Sequence, residues 1–261
     1  MLPKTLLLVC LSAMVPSARM DLERQFDLSD EGWTRHTIDD SSEGADGVRL
    51  ADLNGEEIAM PFRAVLPDIV FGVVADRQGL DPRKDFRLRY VGTPMDAMQL
   101  LIARRVDHAL LAEPAVSMAL RKTKSFPIGL IAPELHRSID LQAEWGRVLQ
   151  RPARMPQAGI AVVGAHAQDA AFVARIHAAY DAALRECLAE REACARSVAA
   201  RVELLSAEAV MDALAVSPLE AVPAAGARAE LEFFYGVLAG RNPALIGGRL
   251  PDDGFYAGGG R

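Results

Sequence analysis

Side chains suited to holding a small anion follow three predicted β-strands of this chain. Phe62 and Arg63 come directly after one strand. Thr93 follows the next strand, and Glu113 follows a third. An arginine can bind a carboxylate, sulfonate or phosphate, and the free N–H groups at the start of the following helices favour an anion or a polar ligand. The residue types and spacing therefore predict binding of a small anion or polar solute.

Two of these residues have structural roles that compete with ligand binding. Arg63 is equally suited to be a surface charge or a partner of Asp68. Thr93 is favoured as a helix cap, because Pro94 occupies the first helical position and Asp96 lies three residues further on. Capping is compatible with a ligand contact.

Motifs for catalysis, metal binding or nucleotide phosphates are missing from the sequence. The five histidines form no His-x-x-x-His pair, and no Cys-x-x-Cys, Gly-x-Ser-x-Gly or Gly-x-x-x-x-Gly-Lys motif occurs. His108 lies within a predicted strand and is interpreted as structural. We therefore predict no catalytic residue, no metal ligand and no cofactor.

Length and net charge limit the possible domain organisation and the possible class of partner. A chain of 261 residues can form one large domain or two lobes, and its 51% apolar content is sufficient for a core. The net charge of −6 argues against nucleic acid as a partner, because binding to phosphates requires a basic face.

Residues 1–18 have the parts of a secretory signal peptide. Lys4 gives a positive start, Thr5–Val15 is mostly apolar, and Pro16–Ala18 supplies a small-residue exit. The apolar run is too short to span a bilayer comfortably. We expect a periplasmic protein that is peripheral to the membrane at most. The alternative is a buried first strand or helix of a cytoplasmic protein.

The elements that position these residues form a strand–helix–strand pattern. Arg87–Val91 is predicted as a strand, Thr93–Arg105 as a helix and Asp107–Leu111 as a second strand. Glu57–Pro61, followed by a helix through Gln78, repeats the first half of this pattern. Two strands joined by a helix predict a parallel βαβ unit, whose ligands gather at the carboxyl ends of the strands.

The rest of the chain is predicted to be mostly helical. Residues 19–47 are polar and are interpreted as a poorly specified leader. Helices are expected at 116–122, 141–148, 169–188, 190–201, 206–214 and 223–239, and strands at 128–132 and 159–163. In the helix at 169–188, one face is expected to hold Phe172, Ile176, Ala179, Ala183 and Cys187. The alternation of elements predicts an α/β fold with a helical C-terminal part.

Cys187 and Cys194 allow two interpretations. On one straight helix their Cα atoms would lie about 10 Å apart, which is beyond the reach of a disulfide. Two small residues on a packed helix face are therefore favoured. A turn between Ala189 and Glu192 would instead permit a disulfide.

Four motifs occur in order along the middle of the chain: Gly55–Pro61, Gly79–Pro82, Tyr90–Pro94 and Arg105–Pro114. Their order and spacing resemble the periplasmic substrate-binding proteins of ABC importers, and most closely the nitrate, taurine, aliphatic-sulfonate and thiamine-precursor type. The similarity covers about residues 48–163. In that family the Glu-Pro pair stands at the crossing between two lobes.

The resemblance implies a type II periplasmic-binding-protein-like fold with two lobes. Residues 48–132 would form an α/β lobe, 133–257 a strand and helices that complete the other lobe and the hinge, and 258–261 a frayed tail. Relatives have more chain before residue 48, so the first lobe is expected to be truncated.

The function implied is that of a non-catalytic, monomeric solute-binding protein. Its ligand would be a sulfonate, taurine, nitrate or a pyrimidine-like solute, delivered to an ABC permease and ATPase. The alternatives are an enzyme of the same fold acting on a pyrimidine or cofactor precursor, with His108 or Glu113 as the catalytic group, and a binding-deficient sensory or interaction paralogue.

Overall fold

The computed structural model describes residues 5–9, 34–39, 48–130, 132, 134–162, 166 and 169–256, with only the backbone described at 5–9 and 34–39. The chain divides into two compact units. Unit 1 comprises residues 1–14, 155–194 and 219–261, and unit 2 comprises residues 15–154 and 195–218.

The described elements alternate between strand and helix from residue 57 to residue 162 and are mainly helical thereafter. In chain order they are β1 (Thr5–Val9), β2 (Thr34–Asp39), β3 (Glu57–Pro61), α1 (Leu66–Arg77), β4 (Arg87–Val91), α2 (Pro94–Ile102), β5 (His108–Leu111), α3 (Ala115–Lys124), β6 (Glu134–Asp140), α4 (Leu141–Leu149), β7 (Ala158–Val162), α5 (Ala170–Ala189), α6 (Arg191–Ala199), α7 (Ala207–Val216), β8 (Ala221–Val222) and α8 (Arg228–Arg241).

Unit 2 is organised around a parallel sheet. Its five described strands have the order β4-β3-β5-β2-β6, and every neighbouring pair is parallel. All five strands therefore end at the same edge of the sheet. This edge, called here the carboxyl edge, is where a parallel α/β sheet presents its loops to ligands.

Helices cover the sheet of unit 2 and bury its apolar residues. On one side, Ala59 and Ala109 belong to a buried cluster with Met98 of α2, Val116 of α3 and Ala209 of α7. Helices α1 and α4 pack against each other and contribute the buried rings of Phe71 and Trp145. The near-continuous burial of β3 and β5 is typical of strands covered on both faces.

Unit 1 contains a smaller antiparallel sheet. Its described strands have the order β7-β1-β8, with β1 central. A buried cluster joins Val162 of β7, Val173 of α5 and Leu231 of α8 to Tyr256 near the end of the chain. Helices α5 and α8 thus share a core with the sheet through strand β7.

The predicted strands and the capped helix that carry the site residues are confirmed. β3 and β4 have the predicted bounds. Helix α2 begins at Pro94, and the Thr93 hydroxyl oxygen accepts a hydrogen bond of 3.1 Å from the Asp96 N–H. Thr93 is therefore the N-cap, as its spacing to Asp96 predicts.

The strand predicted at 128–132 is wrong. Ile128–Leu130 is a turn of 3-10 helix, and the Ala132 N–H donates to the Ile128 carbonyl at 2.8 Å. The sequence pattern fails because the run is too short for its period to separate a strand from a turn. The strand is the more polar segment β6, in which Leu135, Ser138 and Ile139 are buried.

Two further expectations need correction. Within the leader predicted at 19–47, residues Thr34–Asp39 form a strand of the parallel sheet. In α5 the buried residues are Val173 and Leu184, whereas Ala179 and Ala183 are exposed. The buried face is therefore rotated by about one residue from the predicted one, because small alanines carry little information about which side is covered.

The N-terminal and C-terminal predictions fall mostly outside the described residues. Of the predicted signal peptide at 1–18, only Thr5–Val9 is described, as the strand β1. The tail at 258–261 is not described. Within the described residues, no helix combines the length and apolar character needed to cross a bilayer.

The favoured interpretation of Cys187 and Cys194 as unpaired residues is wrong. The two cysteines form a disulfide with a Cα–Cα distance of 5.0 Å. The distance is short because helix α5 ends at Ala189 and α6 starts at Arg191, with Glu190 between them in a non-helical conformation. The disulfide therefore joins the last turn of α5 to the first turn of α6.

Gly146 in α4 is a position where the fold requires the absence of a side chain. An added Cβ would lie 2.9 Å from the backbone of Ala153 and from the Arg151 carbonyl. We expect Gly146→Ala to lower the free energy of unfolding by about 1–3 kcal/mol, although alanine is the better helix former. Gly236→Ala in α8 is the matched control, since a Cβ there meets nothing within 4 Å. Urea unfolding in which both variants gain stability would contradict this.

Candidate functional site

The loops that follow β3 and β4 lie side by side at the carboxyl edge. Pro61 and Val91 are in register, and the Phe62 N–H donates to the Val91 carbonyl at 2.9 Å. Phe62 and Ala64 both have a φ of 59°, a left-handed conformation that residues other than glycine adopt at a cost. The surrounding contacts must therefore hold this loop in place.

Asp68, in the first turn of α1, provides those contacts. Its Oδ2 accepts a hydrogen bond of 2.7 Å from the Ala64 N–H, and its Oδ1 accepts one of 2.8 Å from the Tyr90 hydroxyl. Both oxygens thus have partners in the two adjacent loops and strands. One carboxylate fixes the strained loop after β3 to the side chain of β4.

Burial raises the pKa of Tyr90 to about 12, and its hydrogen bond to the Asp68 carboxylate adds to the shift. The shift disfavours the phenolate, so the hydroxyl stays protonated and remains a donor at neutral pH. The Tyr90–Asp68 hydrogen bond is therefore charge-assisted.

Arg63 lies over the ring of Tyr90, with its guanidinium carbon 5.0 Å from the ring centroid. The side chain is exposed, and no carboxylate of the described residues forms an ion pair with it. The Asp68 partnership that the sequence allowed is not formed, because Asp68 accepts from Ala64 and Tyr90 instead. A cation–π contact of this kind pairs none of the guanidinium N–H groups with an oxygen acceptor, so donors remain for another group.

Thr93 and Phe62 complete this part of the edge. Thr93 stands at the start of α2, where the first-turn N–H groups lack intrahelical partners. Phe62 has 37% of its surface exposed. A cation, a partly exposed ring and two helix starts, those of α1 and α2, are thus grouped at the ends of two neighbouring strands.

Glu113 follows β5 at the same edge but points into the protein. Its residue surface is only 2% exposed. One oxygen forms an ion pair with Arg137 of β6, and the other accepts from the Ser117 N–H at 3.2 Å. Arg137 also donates to the Ser117 hydroxyl at 3.0 Å. The contacts give Glu113 a structural role, and its contact with a ligand stays a prediction.

Asp140 ends β6 at the carboxyl edge and caps α4. Its Oδ1 accepts from the N–H groups of Gln142 and Ala143 at 2.8 and 3.0 Å. Burial raises the pKa of Asp140, and the two backbone hydrogen bonds oppose that rise. This acidic group is therefore engaged with its own helix.

Sequence reasoning found Arg63 and Thr93 and named Asp68 only as a partner of Arg63; it missed Tyr90, which contacts both Asp68 and Arg63. Asp68 lies in a first helical turn, where acidic residues are common for electrostatic reasons. Tyr90 is one of several alternating residues of a strand. Their spacing of 22 residues carries no local signal, so only the register of β3 and β4 brings them together.

The described side chains bear on two further kinds of site, a metal site and a site that uses His108. No group of three His, Cys, Asp or Glu residues there could hold a metal ion. His108 is buried in β5, with 7% of its surface exposed.

The parallel sheet covered by helices, with its ligand-facing loops at one edge, defines an α/β fold like that of the periplasmic binding proteins. The fold is similar to an ABC transporter from Parabacteroides distasonis, with 21% identity and a TM-score of 0.60, over 77% of this chain and 66% of that one. It is also similar to the periplasmic aliphatic sulphonate binding protein SsuA from Escherichia coli, with 19% identity and a TM-score of 0.53, over 77% of this chain and 59% of that one.

These similarities confirm the predicted fold class. The chain spans less than two thirds of the length of either solved structure. No protein-family model matches the sequence, and no curated protein does.

Proposed function

We propose that the protein is the solute-binding component of an ABC-type importer and binds a small organic anion of the sulfonate class without catalysis. The observation that carries the proposal is the Arg63 guanidinium, stacked on Tyr90 at the carboxyl edge without a carboxylate partner among the described residues. The structural neighbours, an ABC transporter and a sulphonate binding protein, support it.

Residues at the carboxyl edge match both the charged group and the apolar group of an organic anion. Arg63 offers planar N–H donors that suit the oxygens of a sulfonate or carboxylate. The N–H groups at the starts of α1 and α2 add partial positive charge. The exposed part of Phe62 offers apolar surface for a short organic group. Nitrate, taurine and pyrimidine-like solutes are the other ligands of this proposal.

The same proposal includes the cellular context. The protein would be exported and would deliver its solute, as a monomer, to permease and ATPase subunits. Part of the signal peptide predicted at 1–18, Thr5–Val9, forms the central strand of the smaller sheet. The lobes predicted at 48–132 and 133–257 do not coincide with the two compact units, because β6 and α4 belong to unit 2. Glu113 would act on the ligand indirectly, by fixing the start of α3.

Isothermal titration of the purified protein with alkanesulfonates, taurine, nitrate and pyrimidines tests the proposal. We expect a sulfonate to bind, and Arg63→Ala to weaken that binding about 10- to 150-fold, the range for loss of a charge-assisted hydrogen bond. Arg63→Lys should retain part of the affinity, because the charge stays and the planar donor pair is lost.

Arg89→Ala is the matched control for these variants. Arg89 is also an exposed arginine of unit 2, but it lies in the middle of β4 and faces Glu57 at 3.9 Å. Its removal should leave the affinity unchanged. Absence of binding to every compound, or equal affinities of Arg63→Ala and the wild type, would refute the proposed function.

A further inference from the structure

Asp68 is a charged neighbour of Arg63 that does not neutralise it. Only four residues separate the two in sequence, yet both carboxylate oxygens of Asp68 are hydrogen-bonded elsewhere, to the Ala64 N–H at 2.7 Å and to the Tyr90 hydroxyl at 2.8 Å. Arg63 stacks on the ring of the same tyrosine. Tyr90 therefore contacts both the Asp68 carboxylate and the Arg63 guanidinium and keeps these two groups apart.

This arrangement matters because a carboxylate paired with Arg63 would compete with an anionic ligand for the same donors. An ion pair at an exposed position is worth a factor of about two to five in an equilibrium constant. A site in which Asp68 turned to Arg63 would bind an anion more weakly by that factor. It would also lose the hydrogen bond that fixes the left-handed loop.

We propose that Tyr90 is a positioning residue that sets the charge preference of the site, because its hydroxyl holds Asp68 while its ring holds Arg63. The inference rests on the proposed function, since it concerns the same anion. It adds that selection for anions depends on a residue that makes no charge interaction with the ligand itself.

Substitutions can remove the hydroxyl contact of Tyr90 and the charge of Asp68 separately. Tyr90→Phe keeps the ring under Arg63 and removes the hydroxyl, so Oδ1 of Asp68 loses its partner and Arg63 becomes available to it. Asp68→Asn removes the charge and keeps one acceptor oxygen, which can still accept from the Ala64 N–H, while an NH2 donor replaces the other oxygen. The double variant therefore lacks the hydroxyl and also lacks the competing carboxylate.

The test is titration of the best-binding sulfonate into the wild type and these variants. We expect Tyr90→Phe to bind about two to five times more weakly, and Tyr90→Phe/Asp68→Asn to regain the wild-type affinity. Tyr180→Phe, in helix α5 of unit 1, is the matched control and should not change the affinity. If adding Asp68→Asn does not restore the affinity that Tyr90→Phe loses, Tyr90 acts only through packing and the inference is overturned.

A spectroscopic titration of the phenol tests the pair without any ligand. The difference between wild-type and Tyr90→Phe absorbance should show ionisation at a pKa of about 12. In Asp68→Asn the pKa should fall towards its ordinary range but not reach it, because burial is the larger cause and is unchanged. An unchanged pKa of Tyr90 would overturn the pairing of Tyr90 with Asp68.

The binding results distinguish failure of the proposed function from failure of this inference. If no sulfonate binds the wild type, both fail. If a sulfonate binds and Tyr90→Phe has no effect on its affinity, only the inference is overturned.

Discussion

Replacing Arg137 by methionine should lower the free energy of unfolding of unit 2 by about 3–5 kcal/mol, because it leaves a charged carboxylate unpaired in the interior. The side chain of Glu113 is 1% exposed and that of Arg137 is 18% exposed, so water cannot take over the role of the guanidinium. Urea unfolding followed by the fluorescence of Trp145, a buried residue of unit 2, measures the change in a Trp33→Phe background.

Two controls distinguish the effect of an unpaired buried charge from the effect of losing any ion pair. Arg147→Met removes the pair with Glu144 on the exposed side of α4, where the arginine side chain is 60% exposed, and should cost less than about 1 kcal/mol. Adding Glu113→Gln to Arg137→Met should restore much of the stability, because the buried charge is gone. Equal losses for Arg137→Met and Arg147→Met would show that Glu113 is not an interior charge.

Removing the disulfide of unit 1 is the second large effect. The bond closes a loop with a sequence separation of 7, for which loop-closure entropy predicts a stabilisation of about 2.5 kcal/mol. The variant Cys187→Ser/Cys194→Ser should therefore unfold at lower urea concentration, and helix α6 should open more often. Cleavage by trypsin after Arg191, the first residue of α6, measures that opening.

Reduction provides an independent form of the same experiment. Treating the wild type with a thiol reductant should raise cleavage after Arg191 to the level of the serine variant, and should leave the variant itself unaffected. Cleavage after Arg77, at the end of α1 in unit 2, serves as the internal reference. Equal cleavage after Arg191 in oxidised and reduced protein would mean that the disulfide does not limit opening of α6.

Local sequence signals were sufficient to predict the strands and the helix that carry the candidate site. Short extended runs in the sequence predicted β3 and β4 with their observed bounds. The Thr93 cap was predicted because capping depends on residues only three positions apart. The parallel arrangement followed from the strand–helix–strand order, since a helix crossover leaves its strands parallel.

Contacts between distant residues could not be predicted in the same way. The pairing of Asp68 with Tyr90 depends on the register of β3 and β4, and the pairing of Glu113 with Arg137 depends on how α3 lies against β6. The disulfide depends on a helix break at Glu190 that no proline or glycine marks. Burial of Glu113 likewise follows from tertiary packing, which no local pattern in the sequence shows.

The most direct test of an anion site at the carboxyl edge is the response of backbone amides to the best-binding sulfonate. In ¹⁵N–¹H correlation spectra, we expect saturable shifts of Ala64 in the loop before α1, of Leu66 in α1 and of Met95 in α2. In Arg63→Ala the same shifts should saturate only at about 10- to 150-fold higher ligand concentration. Saturable shifts confined to other parts of the chain, or saturation of Arg63→Ala at the wild-type concentration, would contradict an anion site at the carboxyl edge.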